Sequence, residues 1–338
     1  MDRAGQFVML QLGRLAFLLL IMAFVTFMLL RLGGAPPVVM LGGSTASVDE
    51  VAQLRADYAL DQPVPVQFIR FVLRIAQGDL GRSWLTGNRV AAELFSRLPA
   101  TLELMLYGIA LGGLIGVPLG IAAGFGRGRA EDHAVRGFAL LVNAIPGYFL
   151  SLALLMVFFS WLDLAPPPTG RISLMLTPPN TVTGSYFIDA ILIQNAAAAR
   201  SALGQLALPV LCIAVGVAGS IILRVRAAML AQLDSDHLAF AHAQGLPGDI
   251  VSGIALRGAA PAIAIAAGYE FAGLFGATAV VEYVFSWGGM GQFGLEAIVK
   301  GDFAVVQGFV LLTALFALLV LATGHLLARA MARGAGRP

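Results

Sequence analysis

The sequence predicts an all-α integral membrane protein with six transmembrane helices. Of its 338 residues, 59% are hydrophobic and only 12% are charged, about half the charge of a typical soluble domain. The mean hydropathy is +0.86. Six stretches are apolar over most of the roughly 20 residues that cross the hydrocarbon core of a bilayer. They comprise residues 15–30, 102–125, 138–162, 203–223, 259–281 and 303–328.

The first apolar stretch, residues 15–30, reaches full span length only if residues 7–13 extend it. It has two interpretations. A basic start, an apolar core and small residues at 33–35 are typical of a signal peptide, which is removed from the mature protein. The charged Arg31 interrupts the expected cleavage region, which favours a retained transmembrane helix. N-terminal sequencing of the mature protein distinguishes the two.

The segment between the first two stretches, residues 33–99, is predicted to contain helices. Ser47 and Glu50 have the spacing of a capping box, which predicts that a helix begins there. Farther on, apolar residues recur at helical spacing opposite polar ones. This apolar stripe comprises Val66, Ile69, Val72, Leu73 and Ala76. It indicates a helical cap on the membrane surface, or alternatively a landing surface for a protein that delivers substrate from outside.

The second stretch carries five glycines at intervals of four residues, which places them on nearly one helix face. They are Gly108, Gly112, Gly116, Gly120 and Gly124. Small residues at this spacing let helix backbones approach closely in lipid. We therefore predict that this face packs against another helix of the bundle, with a hinge or a moving contact as the alternative.

A polar interval, residues 224–261, separates the fourth apolar stretch from the fifth. The run Asp234–Asp236 predicts a helix start, because short side-chain oxygens accept unpaired backbone N–H groups and acidic charge suits the positive helix end. Gly245 followed by Pro247 predicts the helix end. Between them, little side-chain bulk is present at the alternate residues Ala239, Ala241 and Ala243. The interval is therefore predicted to hold a short helix that another surface can approach closely.

Basic residues predict the orientation, since short cytoplasmic loops of membrane proteins are enriched in Lys and Arg. Eleven arginines lie near the two chain ends, in loop 126–137 and in the polar interval. The opposite short loops hold only Arg171, Arg200 and Lys300. Both termini and the polar interval are therefore predicted to face the cytoplasm.

Glu270 lies near the middle of the fifth apolar stretch, within AAGYEFAGLFG. A charge at such a depth costs several kcal/mol unless it faces a watery cavity or a partner. Two interpretations follow. Glu270 lines a transport pathway, or it is a structural glutamate that is held protonated or hydrogen-bonded.

The residues also exclude several kinds of chemistry. Lys300 is the only lysine and does not lie in a GxxxxGK[ST] motif, so nucleotide energy must come from another polypeptide. The single cysteine, Cys212, allows neither an internal disulfide nor a cysteine-based metal site. No HExxH or GxSxG motif occurs. We therefore predict no catalytic, cofactor-binding or metal-binding residue, and the net charge of +2 gives no reason to expect nucleic acid.

Four motifs resemble those of the permease subunit of bacterial peptide-type ABC importers, the oligopeptide/dipeptide permease family. They are GDLGRS at 78–83, LPATLEL at 98–104, the Ala-x-Ala-x-Gly-Leu run at 241–246, and VVEYVFSWGGMGQ with its trailing DFAVVQG at 280–308. The likeness covers nearly the whole chain. It implies the ABC importer type I permease fold, with a cytoplasmic coupling helix between transmembrane helices 4 and 5.

The resemblance also implies partners. A working importer of this family has two permease subunits, two cytoplasmic ATP-binding subunits and an extracytoplasmic substrate-binding protein in the bacterial inner membrane. This chain would form the translocation pathway with a second, homologous permease. The resemblance implies that the ATPase docks on the polar interval, and the residues expected to couple to it are Asp236, Ala241, Ala243, Gly245 and Leu246. Three segments are expected: 1–31 with the first span, 32–99 outside the membrane, and the permease core 100–338.

The family implies a peptide, a peptide-like compound or a nickel complex as substrate. On the residues alone, two other classes stay open. One is an ion- or proton-coupled secondary transporter that uses Glu270 as its proton site. The other is a membrane-embedded enzyme, against which the absence of catalytic motifs counts.

Overall fold

The computed structural model describes residues 3–32, 47–57 and 60–335, and within these ranges the chain forms helices and loops without a β-strand. The first helices are α1 (Arg3–Leu32), α2 (Val48–Asp57), α3 (Val64–Ala76), α4 (Val90–Phe125), α5 (Ala130–Ala144) and α6 (Gly147–Leu154), which continues as a π-helix over Leu155–Trp161. The others are α7 (Tyr186–Leu192), α8 (Ala196–Leu233), α9 (Asp236–Ala243), α10 (Gly248–Val284), α11 (Met290–Lys300) and α12 (Phe303–Ala335). The predicted all-α class is confirmed.

Four helices in the described residues are long and apolar enough to cross a membrane: Val90–Phe125, Ala196–Leu233, Gly248–Val284 and Phe303–Met331. The bent pair α5 and α6 makes a fifth candidate if it is one span. The apolar part of α1, Gly13–Leu29, is shorter than these. The structure thus supports four or five spans, and the predicted total of six remains a prediction.

The third predicted span, residues 138–162, is not one continuous helix. It is broken between α5 and α6, whose axes differ by 96°. Pro146 lies at the break, and Ile145 before it is extended, with φ −85° and ψ 119°. Proline disfavours helical backbone at the residue before it and has no N–H to continue the hydrogen-bond ladder.

The helices that flank the polar interval are longer than the apolar stretches that predicted them. α8 continues to Leu233 and α10 begins at Gly248, so only residues 234–247 lie outside them. The 38 residues of α8 extend over roughly 57 Å, against a hydrocarbon core of about 30 Å. Val225 and Met229 in the extension are fully buried. The polar interval is therefore mostly helix, because packing continues where the apolar run ends.

The chain forms two compact units. The first comprises Met1–Thr101 with Gly288–Leu318, and the second comprises Leu102–Trp287 with Leu319–Pro338. α4 and α12 each contribute residues to both. The three segments expected from the sequence, 1–31, 32–99 and 100–338, remain a prediction.

In the first unit, α3 packs on α1 through aromatic rings. The Phe68 ring lies 5.5 Å from Phe24 and 5.2 Å from Phe27, measured between centroids, and both contacts are edge-on. The predicted apolar stripe is partly turned away from this contact. Its exposed members are Val66, Ile69, Leu73 and Ala76. An amphipathic helix with an exposed apolar face agrees with the predicted cap on the membrane surface.

Two pairs of sequence motifs meet in the first unit although about 200 residues separate their members. The buried carboxylate of Asp302 accepts a hydrogen bond from Ser83 Oγ at 2.5 Å, and Trp84 Nε1 donates to the Gly301 carbonyl at 3.2 Å. The Met290 amide donates to Thr101 Oγ1 at 2.8 Å. The GDLGRS motif is therefore hydrogen-bonded to the start of the DFAVVQG motif, and the LPATLEL motif is hydrogen-bonded to the WGGMGQ segment.

In the second unit, the five glycines of α4 all face α8. A Cβ atom built at Gly112 would lie 2.6 Å from Val217 Cγ1, and one built at Gly120 would lie 2.7 Å from Val225 Cβ. Gly108, Gly116 and Gly124 likewise face Ile213, Ile221 and Met229. Real side chains do not tolerate such distances, so the two helices approach this closely only because α4 has no side chains there.

We expect Gly112→Ala to destabilise the protein by about 1–3 kcal/mol, since the added methyl also meets the Ala214 carbonyl at 2.8 Å, which is backbone and cannot rotate away. Thermal melting in detergent, followed by size-exclusion chromatography, measures the effect. Gly113→Ala is the matched control, because no atom lies within 4 Å of a Cβ built at the next residue. Equal melting temperatures of the two variants would contradict the close packing.

Candidate functional site

The short helix α9 begins and ends where the sequence predicts. Ser235 precedes it, but its hydroxyl donates to the Gln232 carbonyl and accepts no N–H of the helix, so the predicted side-chain cap does not form there. At the other end, Gly245 has φ +71°. Its N–H donates to the His242 carbonyl at 3.0 Å, and the Leu246 N–H donates to the Ala241 carbonyl at 3.3 Å. This pair of bonds is a Schellman motif, which needs a left-handed residue at the glycine position.

Only one face of α9 packs against the neighbouring helices. Leu238 and Ala241 are buried, whereas Asp236, Ala243 and the Gly245–Leu246 pair are exposed. Residues two apart on a helix point about 200° away from each other, so the alternating alanines cannot share one face. Of the five predicted coupling residues, Ala241 therefore anchors the helix, and the other four remain on the outer surface.

Two exposed apolar residues in and beside α9 were not among the residues that the sequence predicted for this site. Phe240 is 65% exposed within the helix, and Ile250 is 45% exposed at the start of α10. Together with Leu246 they give the outer surface of this segment large apolar side chains. The available signal was their occurrence inside a polar interval, where an exposed apolar patch usually marks an interaction site.

Two ion pairs lie close to the start of α9. Arg127, in the loop between α4 and α5, contacts both carboxylate oxygens of Asp234 at 2.7 and 2.8 Å. Arg226 of α8 makes a bidentate contact to the buried carboxylate of Asp132 at 2.6 and 2.8 Å, and the Gly128 N–H donates to Asp132. The first pair is exposed and contributes little stability. The second is shielded and ties the α4–α5 loop to the end of α8.

Glu270 is paired with an arginine. Oε1 of Glu270 lies 2.8 Å from Nε of Arg224 on α8, and the two side chains are 13% and 50% exposed. Glu270 lies 22 residues after Gly248, where α10 begins, and 14 residues before Val284, where it ends, so it is near the middle of this helix. Arg224 lies nine residues before the end of α8 at Leu233. A carboxylate at mid-span therefore remains a prediction, and Arg224 supplies a charged partner of the kind that such a group needs.

α12 packs beside Glu270. A Cβ built at Gly268 would lie 3.7 Å from the Gly324 Cα, so the two backbones nearly touch. Tyr269 makes an edge-on contact with His325, 6.2 Å between ring centroids. By contrast, Gly276, eight residues farther along α10, has no atom within 4 Å of a built Cβ. The segment around Glu270 is therefore held by α8 and α12.

A second charged network anchors the long loop before α8. The buried carboxylate of Glu103 accepts hydrogen bonds from Arg171 Nη2 at 2.7 Å and from the Ser185 hydroxyl. The guanidinium of Arg171 stacks on Tyr186 at 3.9 Å. Burial alone would raise the pKa of Asp189, but hydrogen bonds from Thr183 and neighbouring backbone amides overcome this effect and lower it. The turn-rich loop is therefore a folded element.

A set of long apolar helices with a short, exposed helix between two of them, in a chain without a phosphate-binding loop, defines a subunit of a membrane transport system. The chain belongs to the family described as binding-protein-dependent transport system inner membrane component, whose model matches residues 116–337. The N-terminal model of the same family matches residues 5–105. The resemblance drawn from the four motifs is confirmed.

Several curated relatives share this length and family. The chain is 39% identical to the probable D,D-dipeptide transport system permease protein DdpB of Escherichia coli K12, over 84% of each chain. It is 33% identical to the di/tripeptide transport system permease protein DppB of Pseudomonas aeruginosa, over 87% of this chain and 88% of the relative. It is 31% identical to the dipeptide transport system permease protein DppB of Escherichia coli K12, over 85% of each. The protein is a permease subunit of a binding-protein-dependent importer and not an enzyme.

Proposed function

We propose that this chain forms one half of the translocation pathway of an ATP-driven importer for dipeptides or similar peptide-like compounds. The observation that carries the substrate class is the 39% identity over 84% of both chains to a probable D,D-dipeptide permease, with further relatives named for di- and tripeptides. The family works with a binding protein. This argues against a secondary transporter that works alone.

The working assembly that we infer contains this chain, a second homologous permease, two cytoplasmic ATPases and an extracytoplasmic binding protein. In it the chain has six spans, counting the apolar part of α1 and the broken pair α5–α6 as one each, and the type I permease fold. The excess of arginine near the chain ends and around α9 favours both termini in the cytoplasm.

In this proposal α9 is the coupling helix that docks on an ATPase. Two observations support it: its outer surface carries exposed apolar side chains, and its inner face is anchored by Leu238 and Ala241. A stiffly held helix transmits displacement to α8 and α10. Docking drives transport only if the ATPase binds one global state more tightly than the other, because equal binding shifts no population.

We further propose that Glu270 and Arg224 line the translocation pathway. Charged side chains within apolar helices commonly mark a substrate route, because elsewhere the cost of desolvation is too high. The half-exposed guanidinium of Arg224 needs water or a polar partner beside it. A carboxylate and a guanidinium at one site match the ammonium and carboxylate groups of a zwitterionic dipeptide.

Uptake into vesicles tests the function. With the binding protein and ATPases from the same transport system, labelled D-Ala-D-Ala or an L,L-dipeptide is expected to accumulate only when ATP is present. Collapse of the ion gradient by an ionophore is expected to leave uptake unchanged. Uptake that continues without ATP, or that stops with the ionophore, would contradict an ATP-driven importer.

A further inference from the structure

We propose that an apolar groove in the first unit binds one acyl chain of a membrane phospholipid. The groove has a volume of about 320 Å³ and lies among α1, α3, α4 and α12. Its walls include Leu19, Leu20, Val72, Phe95, Leu312 and Leu315. Neither the transport function nor the family assignment calls for such a site.

The chemistry of the walls selects a hydrocarbon ligand. Every side chain that lines the groove is an alanine, valine, leucine, isoleucine or phenylalanine, and the remaining wall residue is Gly78. A bound water needs two to four polar partners, which these side chains do not supply. The volume is roughly ten times the ~30 Å³ that one water molecule takes in the liquid. Left empty, such a space would forfeit the dispersion contacts of its walls, so hydrocarbon is the occupant that fits.

The position of the groove favours a lipid chain over a protein side chain. Its α1 wall belongs to the apolar segment Gly13–Leu29, and its α12 wall belongs to the candidate span Phe303–Met331. Leu20 and Phe95 line the groove and are also exposed on the outer surface. The groove is therefore continuous with surface that lies at hydrocarbon depth, where acyl chains are the surrounding solvent.

α3 closes the groove at the level where a headgroup would lie. It contributes Val72, Ile75 and Ala76 to the wall, while Ile69 and Leu73 are exposed beside them. A short amphipathic helix of this kind lies at the boundary between headgroups and acyl chains. A lipid bound in the groove would thus contact α3 and the two apolar helices at once, and it would fix α3 on the membrane surface.

Photo-cross-linking tests the site. The full-length protein is reconstituted in vesicles of phosphatidylethanolamine and phosphatidylglycerol that contain a trace of phospholipid with a diazirine on one acyl chain. After illumination, mass spectrometry is expected to find the label concentrated on groove residues such as Phe95 and Leu312. Ala91→Trp should fill the groove, because Ala91 is one of its walls, and should reduce that label to the level of other lipid-facing residues.

The matched control is Ala92→Trp, the next residue of α4, which is exposed and does not line the groove. It is expected to keep the wild-type labelling. Size-exclusion chromatography verifies that both variants fold, and Ala16→Phe fills the groove from α1 if Ala91→Trp aggregates. Undiminished labelling in a folded, filled variant would overturn the proposal, as would a groove occupied by a partner protein and never labelled by lipid.

Discussion

Reversing either charge of the Arg224–Glu270 pair is expected to stop uptake, and reversing both is expected to restore the folded protein. In Arg224→Glu or Glu270→Arg, two like charges meet across the 2.8 Å contact between α8 and α10. Losing one partner of a buried pair costs about 3–5 kcal/mol. The half-exposed Arg224 places this pair below that range. Because the reversal also removes one of the two charges proposed to contact the substrate, uptake is expected to fall at least about tenfold, which corresponds to about 1.4 kcal/mol in the barrier.

The double variant separates a pathway role from a structural one. If the pair only joins the two helices, the double variant recovers melting temperature, uptake rate and substrate preference together. If the pair contacts the substrate, as we propose, the double variant recovers the melting temperature but not the preference for zwitterionic dipeptides. Full recovery of all three properties would therefore reject the pathway proposal and leave the importer function untouched.

The control for this experiment is the Arg127–Asp234 pair, which also joins an arginine to a carboxylate and whose side chains are 58% and 60% exposed. Exposed pairs contribute about 0–1 kcal/mol. Exchanging Arg127 and Asp234 is expected to change uptake little. If that exchange were as damaging as a single reversal at Glu270, the loss would reflect general sensitivity to charge.

Gly245→Val is expected to uncouple ATP hydrolysis from uptake while membrane insertion stays normal. No atom lies within 4 Å of a Cβ built at Gly245, so the damage comes from the backbone and not from a clash. An L-residue held near φ +71° costs about 1–2 kcal/mol, and β-branched residues tolerate this region worst. Relief of the strain would open the Schellman motif and displace Leu246 from the outer surface of α9.

Gly87→Val provides the matched control, because Gly87 has φ +72° and also has no atom within 4 Å of a built Cβ. It carries the same strain in a turn of the first unit. Uptake, ATP hydrolysis and binding of the ATPase to the membrane are measured for both variants. Normal coupled transport in Gly245→Val would contradict the assignment of α9 as the helix that docks on the ATPase. Equal losses in both variants would point to a folding defect.

The features that the sequence predicted correctly are local or periodic. The C-terminal end of α9 follows from Gly245, because the left-handed turn depends on residues within a few positions of each other. The start of α9 lies within the predicted run Asp234–Asp236, although the Ser235 side chain does not cap the helix. The glycine face of α4 follows from an interval of four residues, which a helix converts into one face. The all-α membrane class follows from apolar stretches of span length, since in lipid a single helix satisfies its own backbone.

The features that the sequence did not predict depend on how helices are placed beside each other. Arg224 and Glu270 are 46 positions apart, and no local rule gives the register at which α8 and α10 meet. The same holds for Glu103 and Arg171. Even the face of α9 that is buried, with Leu238 and Ala241, was decided by contact with its neighbours.

The sequence alone thus determined the kind of protein, the position of the short helix and the membership of a permease family. Only the tertiary structure decided that the third predicted span is broken into two helices, that α8 and α10 extend into the polar interval, and that Glu270 has a charged partner. The physical reason is that hydropathy and capping depend on residues that are close in sequence. Packing and ion pairing instead depend on how helices that are distant in sequence lie beside each other.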